Sequence, residues 1–271
     1  MLRDITLGQY YPVNSILHRL DPRTKLFGTL VFIVSLFVSS SWPAYAVATV
    51  FLFAVIRLSL VPVKFMVRGL KAIVFLLLIS VAFNIFLTEG TVVFQIGFLK
   101  VTREGLRLAA FMGIRLIYLV LGSSVMTLTT TPNALTDGLE ESLGFLNHIG
   151  VPVHEIAMMM SIALRFIPIL IEETDKIMKA QMARGANFES GNLIEKAKAM
   201  VPLLVPLFIS AFRRATDLAM AMEARCYHGG EGRTKMKPLQ YGRADRIATV
   251  VLYVYFGIML LLRINPLHVK L

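Results

Sequence analysis

The sequence is short of cysteine and of charge. Cys226 is the single cysteine among 271 residues, so the chain forms no internal disulfide and no thiolate metal cluster. Charged residues make up only 17% of the sequence, whereas hydrophobic residues make up 56% and the mean hydropathy is +0.69. Soluble domains carry about 25% charged residues. The composition therefore indicates a membrane protein.

The sequence also lacks the short motifs of common catalytic sites. His154 and Glu155 are not followed by the second histidine of a zinc-binding helix, and His228 stands among glycines without a spaced partner. No glycine-rich loop ends in the lysine and hydroxyl residue that bind nucleotide phosphates. We therefore expect no catalytic residue, no metal site and no cofactor, and any energy from ATP has to come from another chain.

Five apolar stretches predict membrane-spanning helices. They cover residues 26–41, 43–60, 72–87, 108–128 and 247–262. Several are shorter than the roughly 20 residues that a helix needs to cross the hydrocarbon core. The basic residues Arg57, Lys71 and Arg263 lie near their ends and lengthen the effective span, because long cationic side chains reach towards the lipid headgroups.

Ionisable residues are almost absent from the interior of these stretches. Arg115 is the only one well inside a stretch, and no stretch contains aspartate or glutamate. Proton-coupled carriers normally need carboxylates within their spans, so that class is disfavoured. Asn84 is the strongly polar uncharged residue of the third stretch, and we expect it to form a hydrogen bond to a neighbouring helix.

The distribution of basic residues predicts the orientation in the membrane. The first connection is uncharged, whereas the second carries Arg57, Lys64, Arg68 and Lys71. The positive-inside rule then places the N-terminus and residues 129–246 in the cytoplasm and the C-terminus outside the cell membrane. The net charge of +11 is explained by this orientation and by contact with anionic lipid, so no nucleic acid is expected as a partner.

A long segment interrupts the series of spans. Residues 129–246 are more charged than the spans but contain the apolar runs "IAMMMSIALRFIPILI" and "VPLLVPLFISAF". Prolines in both runs make them unconvincing as spans, so we expect helices that lie at the cytoplasmic boundary. The breakers between them predict three helices, at about residues 133–147, 152–184 and 192–226, with the last two kinked at their prolines.

The predicted fold class is an all-α membrane protein with about five transmembrane helices and a cytoplasmic region of about three long helices. Residues 1–128 are expected to form an N-terminal bundle of four helices, residues 129–246 the cytoplasmic helices, and residues 247–271 the C-terminal transmembrane helix. In the third connection, "TVVFQIGFLKV" alternates weakly and predicts an external hairpin.

Two predicted helix ends repeat one pattern forty-one residues apart. Ala183, Arg184 and Gly185 end one helix, and Ala224, Arg225 and Cys226 end the next. A cation near a helix C-terminus contributes a few tenths to about 1 kcal/mol, so each arginine alone is explained as a cap. Methionines and alanines precede both ends, which suits insertion into a groove of a partner and equally suits close packing of helices.

The order of these features resembles the transmembrane T component of energy-coupling factor transporters. The resemblance rests on "SILHRLDPRTKL", "VPVHEIAMMMSIALRFIPILIEETDKIMKAQMARG" and "MVPLLVPLFISAFRRATDLAMAMEARCYHGGEGRT", and it covers residues 12 to 264. It implies the scaffold of a vitamin or trace-metal importer. The T component joins two cytoplasmic ATP-binding cassette ATPases to a separate substrate-binding membrane protein, the S component.

The resemblance assigns roles to both helix ends. The family's two Ala-Arg-Gly signatures end long coupling helices and dock onto the two ATPases, and they fall on Ala183, Arg184, Gly185 and on Ala224, Arg225, Cys226. Cys226 replaces the glycine of the usual pattern. This replacement leaves the implied role of Arg225 unchanged but weakens the expectation of a left-handed backbone at position 226, and we expect a small buried thiol that is not reactive.

The resemblance and the residues lead to one main reading and one alternative. The main reading is a non-catalytic coupling subunit that transmits ATPase motion to the S component through its apolar helix segments. The alternative is a self-contained permease that moves a small solute through its own bundle. An intramembrane enzyme is disfavoured, because the sequence supplies no plausible set of acid, base, nucleophile or metal ligands.

Overall fold

The computed structural model describes residues 10–38, 41–96, 99–186, 188, 192–230, 234 and 236–264. The elements in chain order are α1 (Ile16–Arg19), α2 (Pro22–Val38), α3 (Trp42–Ser59), α4 (Val63–Leu87), β1 (Val92–Ile96), β2 (Leu99–Thr102), α5 (Arg103–Thr129), α6 (Pro132–Leu143), a 3₁₀ helix (Gly144–Ile149), α7 (Val153–Ala183), α8 (Leu193–Glu223) and α9 (Arg243–Ile264). The described part of the chain is therefore almost entirely helical, as the composition predicts.

These elements form two compact units. The bundle unit contains α1 to α5, the hairpin and α9, and the long-helix unit contains α7 and α8. Helix α6 begins in the first unit and ends in the second. The three helices predicted between residues 133 and 226 are present as α6, α7 and α8, although residues 144–149 form the 3₁₀ helix and no longer continue α6.

The core of the bundle unit is built from aromatic residues and small residues. The ring of Phe51 in α3 stacks on that of Tyr255 in α9, with centroids 4.2 Å apart. Ala44 and Ala48 are fully buried, which lets α3 approach its neighbours closely. The hydroxyls of Ser35 and Tyr255 share a hydrogen bond of 2.7 Å between α2 and α9. This hydrogen bond joins two helices within the core.

Large apolar side chains face outwards on the same helices. Phe53, Phe75, Phe83, Val250 and Leu261 are each more than half exposed. A water-soluble protein rarely exposes so much apolar surface, whereas a lipid-facing surface requires it. This pattern agrees with a membrane protein.

Five helices in the described part of the chain are long and apolar enough to cross a membrane. Three of these five, α3, α5 and α9, coincide with predicted spans. Helix α4 is a sixth candidate, because its two segments meet at a bend of 61° and qualify only when taken together. Helix α2 has 17 residues, slightly fewer than a full span. Helices α7 and α8 are the other two.

The lengths of α7 and α8 correct one expectation. Each is one continuous helix of 31 residues that includes its prolines, Pro168 in α7 and Pro202 and Pro206 in α8. The prolines therefore do not shorten these helices below the length of a span, as the sequence argument assumed. Proline removes one helical hydrogen bond but does not end a helix whose neighbours hold it.

Two polar groups within the predicted spans find partners inside the bundle. Arg115 donates from Nε to the hydroxyl of Tyr45 at 3.1 Å, and its guanidinium lies 5.0 Å from the ring centre of Phe37. The expected bond from Asn84 to a neighbouring helix is wrong: its Nδ2 donates to the carbonyl of Ser80, one turn earlier in α4. The predicted hairpin is present, since β1 and β2 pair antiparallel.

A buried polar cluster ties the start of α2 to the start of α9. Asp245 accepts from the backbone N–H of Asp21 at 2.7 Å and from that of Gly242 at 2.8 Å. Arg23 forms an ion pair of 2.9 Å with Asp21 and lies 4.0 Å from the ring centre of Tyr241. Burial would raise the pKa of Asp21, but the hydrogen bonds and charge of Arg23 outweigh it and hold that pKa below its usual value.

Candidate functional site: two arginine-tipped helix ends

Helices α7 and α8 form an antiparallel pair. Arg214 in α8 donates to Glu173 in α7 at 2.9 Å, and Gln181 in α7 donates to the backbone carbonyl of Pro202 in α8 at 3.3 Å. Residues later in α7 therefore contact residues earlier in α8. The end of α7 lies beside residues about ten positions into α8, and the end of α8 lies beside residues about ten positions into α7.

The bond from Gln181 has a specific cause in the sequence of α8. In an α-helix the carbonyl of residue 202 accepts from the N–H of residue 206. Pro206 has no N–H, so the carbonyl of Pro202 is left without its helical donor. The side-chain amide of Gln181 supplies the missing donor from the neighbouring helix. Two prolines four residues apart thus create a contact point between the helices.

A groove of about 250 Å³ runs between the other halves of the two helices. Its walls are apolar, apart from Arg214, and are formed by Ile162, Phe166, Leu170, Ala211, Arg214, Ala215, Leu218, Ala219 and Met222. Ala219 and Met222, from the methionine-alanine run before the second signature, therefore face α7. Met182 and Met220 are about half exposed and face away from protein. The run serves helix packing on one side and leaves an open apolar surface on the other.

The first signature forms a hydrogen-bonded turn at the end of α7. The helix ends at Ala183, and Gly185 has a left-handed backbone with φ of 89°. The N–H of Gly185 donates to the carbonyl of Met182, and the N–H of Ala186 donates to that of Gln181, both at 3.0 Å. This pair of bonds is the Schellman motif, which satisfies carbonyls that have no donor at a helix end.

The second signature forms the same turn at the end of α8. Cys226 donates to Glu223 at 2.9 Å and Tyr227 donates to Met222 at 3.0 Å, so every partner is shifted by the same forty-one residues. Cys226 has φ of 56°, which is the left-handed region. The replacement of glycine by cysteine weakened the expectation of a left-handed backbone at this position, but the structure has one. The two capping bonds hold a conformation that costs a non-glycine residue about 1–2 kcal/mol.

All six signature residues are exposed, and this corrects a second expectation. The thiol of Cys226, predicted to be buried, lies on the surface. Ala183, Arg184, Gly185, Ala224 and Arg225 are exposed as well. Because the helices are antiparallel, the two arginines lie at opposite ends of the pair. About 24 residues of helix separate their levels, which at 1.5 Å per residue is roughly 35 Å.

The two signatures form equivalent exposed turns at separate places in the α7–α8 pair. No group of three or more histidine, cysteine, aspartate or glutamate residues in the described ranges is placed to bind a metal ion. Sequence reasoning found both arginines but missed Gln181 and the ion pair of Glu173 with Arg214. Pro206 was the available signal for Gln181, since a proline at this position leaves the carbonyl of residue 202 in α8 without its helical donor.

Comparison with known proteins identifies the family. A family model described as CbiQ, cobalt transport protein, matches residues 13–236. The chain is 56% identical over 249 residues to the energy-coupling factor transporter transmembrane protein EcfT of Thermosediminibacter oceani, covering 92% of this chain and 94% of the relative. It is 55% identical to EcfT of Clostridium kluyveri over 97% of this chain and 98% of the relative, and 49% identical to EcfT of Bacillus subtilis over 97% and 100%. The chain therefore belongs to the EcfT transmembrane proteins of energy-coupling factor transporters, within the CbiQ family.

Proposed function

We propose that this chain is the non-catalytic coupling subunit of an ATP-driven importer for a vitamin or another micronutrient. Two ATP-binding cassette ATPases bind its two arginine-tipped helix ends, and a substrate-binding S component binds its membrane-embedded surface. The observation that carries this proposal is the exact repetition of one capped turn at opposite ends of the α7–α8 pair. A single turn of this kind is an ordinary helix cap, whereas two exposed copies match two similar motor subunits.

Arginine suits the proposed contact. Its guanidinium presents five N–H donors in a planar fork, which matches a carboxylate or a pair of carbonyls in a groove of the ATPase. Arg184 and Arg225 are both exposed and extend from turns that are rigidly capped. A partner therefore meets a preorganised tip, and little conformational freedom is lost on binding.

The antiparallel pairing suggests how motion passes through the subunit. When the ATPases close on ATP, their grooves approach each other and move both helix ends, so the angle between α7 and α8 changes. The apolar segments 158–171 and 203–212 carry that change to the S component. Rigid-body movement of packed helices is an established way for proteins to switch.

The proposal includes an orientation in the membrane. The N-terminus and residues 129–246 lie in the cytoplasm, where the ATPases are, and the C-terminus lies outside. The basic second connection supports this orientation through the positive-inside rule. In this reading α7 and α8 lie at the cytoplasmic boundary, although their length and hydropathy also satisfy the requirements of a span.

The experiment that tests the proposal is co-purification of the complex from cells that express all its subunits. We expect the double variant Arg184→Glu, Arg225→Glu to co-purify with less than a tenth of the ATPase protein that the wild type recovers. The reversed charges repel the acidic or carbonyl groups of the ATPase grooves. Arg213→Glu is the matched control, since Arg213 is exposed on α8 away from both ends. Wild-type recovery of ATPase with the double variant would refute the assigned role.

A self-contained permease remains the alternative function, because the bundle contains several membrane-spanning helices. The two functions differ in what the isolated chain can do. The purified chain in liposomes is expected to show no uptake, whereas the complex with ATPases and S component transports with ATP. Transport by the chain alone would establish the permease.

A further inference from the structure

A second cavity lies within the bundle unit. It has a volume of about 450 Å³ and lies between α2, α3, α5 and α9. This volume falls within the range of about 300–1,000 Å³ that is typical of small-ligand sites. Phe32, Phe51, Gly122 and Leu252 line its apolar end, two to three helical turns from the nearest ends of their helices. Two to three turns correspond to roughly 11–16 Å along the helix axis.

The other end of the cavity carries two polar groups with unused hydrogen-bonding capacity. Thr24 is only 9% exposed, and within the described residues its Oγ1 has no hydrogen-bond partner. Lys25 donates to the carbonyls of His18 at 3.2 Å and of Thr129 at 2.9 Å, which uses two of its three N–H groups. The hydroxyls of Thr29 and Thr129 also border the cavity, but both already donate to carbonyls of their own helices.

Exposed apolar side chains form part of the cavity wall. Leu58, Ile247 and Val251 line it and are each about half exposed or more. They belong to α3 and α9, both long and apolar enough to cross a membrane. In a bilayer, apolar side chains exposed on such helices contact lipid, so lipid is the class of molecule with access to this wall.

We infer that this cavity is a binding site for one phospholipid. One acyl chain fills the apolar end between Phe32, Phe51 and Leu252, and oxygen atoms of the glycerol ester or phosphate accept hydrogen bonds from Thr24 and Lys25. A buried hydroxyl without a hydrogen-bond partner is destabilising, and a lipid oxygen that accepts its hydrogen bond removes that penalty. A water-soluble molecule fits poorly, because its polar groups would meet only aromatic and aliphatic walls at the apolar end.

The same site explains two residues that the signature turns leave unexplained. A Cβ at position 28 would meet nothing closer than Leu252 Cδ1 at 4.0 Å, so glycine there keeps space open along the cavity wall. At position 122 there is no space for a side chain, because a Cβ there would lie 2.7 Å from the ring of Phe32. Gly122 therefore sets the close approach of α5 to α2, and Gly28 keeps the cavity free.

The test uses the purified full chain and phosphatidylglycerol as the probe, with bound lipid counted by native mass spectrometry. We expect the wild type to retain one lipid under conditions that remove the others. Gly28→Leu and Ala248→Leu fill the cavity from α2 and α9, and each is expected to weaken binding at least tenfold. Gly257→Leu is the control, because a Cβ at that position meets nothing within 4 Å. Thr24→Val keeps the shape, removes the hydroxyl and is expected to weaken binding about threefold to tenfold.

A measurement on the unmodified chain guards against variants that fail to fold. Phosphatidylglycerol with a photoreactive group at the end of one acyl chain is expected to label Phe32, Phe51 or Leu252. Labelling confined to outward-facing residues such as Phe75 and Leu261 would overturn the inference. Retention of the lipid by folded Gly28→Leu and Ala248→Leu proteins would overturn it as well. Neither readout depends on ATPases or on transport, so the outcome is independent of the proposed coupling function.

Discussion

At the scale of single residues, Cys226 is the most informative position. Its backbone is left-handed, a conformation that glycine adopts without penalty and other residues adopt at a cost. The turn forms nevertheless, because two backbone hydrogen bonds cap α8 on either side of it. The geometry of the signature therefore depends on the capping bonds, and glycine at this position only makes it easier to form.

This reasoning predicts that Cys226→Gly stabilises the protein. Relief of the left-handed strain is partly offset by the greater freedom of glycine in the unfolded chain, which leaves a net gain of up to about 1 kcal/mol. The thermal midpoint is then expected to rise by about 2–4 °C in a fluorescence-monitored unfolding scan. Ala224→Gly is the control, because Ala224 is not left-handed and the same replacement there brings no gain. A lower midpoint for Cys226→Gly would show that Cys226 is not strained.

At the scale of the helices, the prolines of α8 create contacts. Pro206 frees the carbonyl of Pro202, and Gln181 of α7 occupies it. The backbone carbonyl of Gln181 also accepts the N–H groups of Arg184 and Ala186 in the first signature turn. One residue thus connects the capped end of α7 to the proline-containing part of α8.

A double-mutant cycle tests this link between α7 and α8. Gln181→Ala alone is expected to lower the free energy of unfolding by about 0.5–1.5 kcal/mol, because the carbonyl of Pro202 loses its donor. Pro206→Ala restores the helical N–H, so in that background the same replacement should have a smaller effect. Denaturant unfolding of the four proteins measures the coupling energy. Equal effects in both backgrounds would contradict the role of Pro206.

Helix positions followed well from the sequence, while their contacts did not. Apolar stretches near the length of a bilayer predicted the spans in α3, α5 and α9 to within a few residues. Asn84 was assigned a partner on another helix, but in the structure it bonds to Ser80. The pairing of Asp21 with Asp245 joins residues 224 positions apart, and hydropathy carries no information about such contacts.

The sequence predicted which residues form the candidate site, but it did not predict their backbone conformation or their exposure. Charge and glycine at the helix ends identified Arg184 and Arg225, because capping leaves a local signal in sequence. The left-handed backbone and exposure of Cys226 were missed. The usual signal for a left-handed residue is glycine, and the usual position of a cysteine is buried. Both rules are averages over many proteins. They take no account of the capping hydrogen bonds that hold the conformation of Cys226.

At the scale of the whole molecule, the described chain carries the same exposed capped turn twice. Its signature turns are exposed at the two ends of the α7–α8 pair, roughly 35 Å apart by helical rise. The sequence contains no nucleotide-binding loop. These features support the proposed role of a subunit that receives motion from two ATPases and passes it to an S component. Under that proposal, the S component selects the substrate.

Cys226 also provides the probe for this coupling role, since it is the single cysteine and lies within the second signature turn. We propose to measure its rate of alkylation by a maleimide in the isolated chain and in the complex purified with its ATPases. Ala186→Cys in a Cys226→Ala background reports on the first turn in the same way. Docking of an ATPase on each end predicts at least tenfold slower alkylation at both positions in the complex. Unchanged alkylation at both positions, with the ATPases bound, would contradict the assignment of these turns as the coupling site.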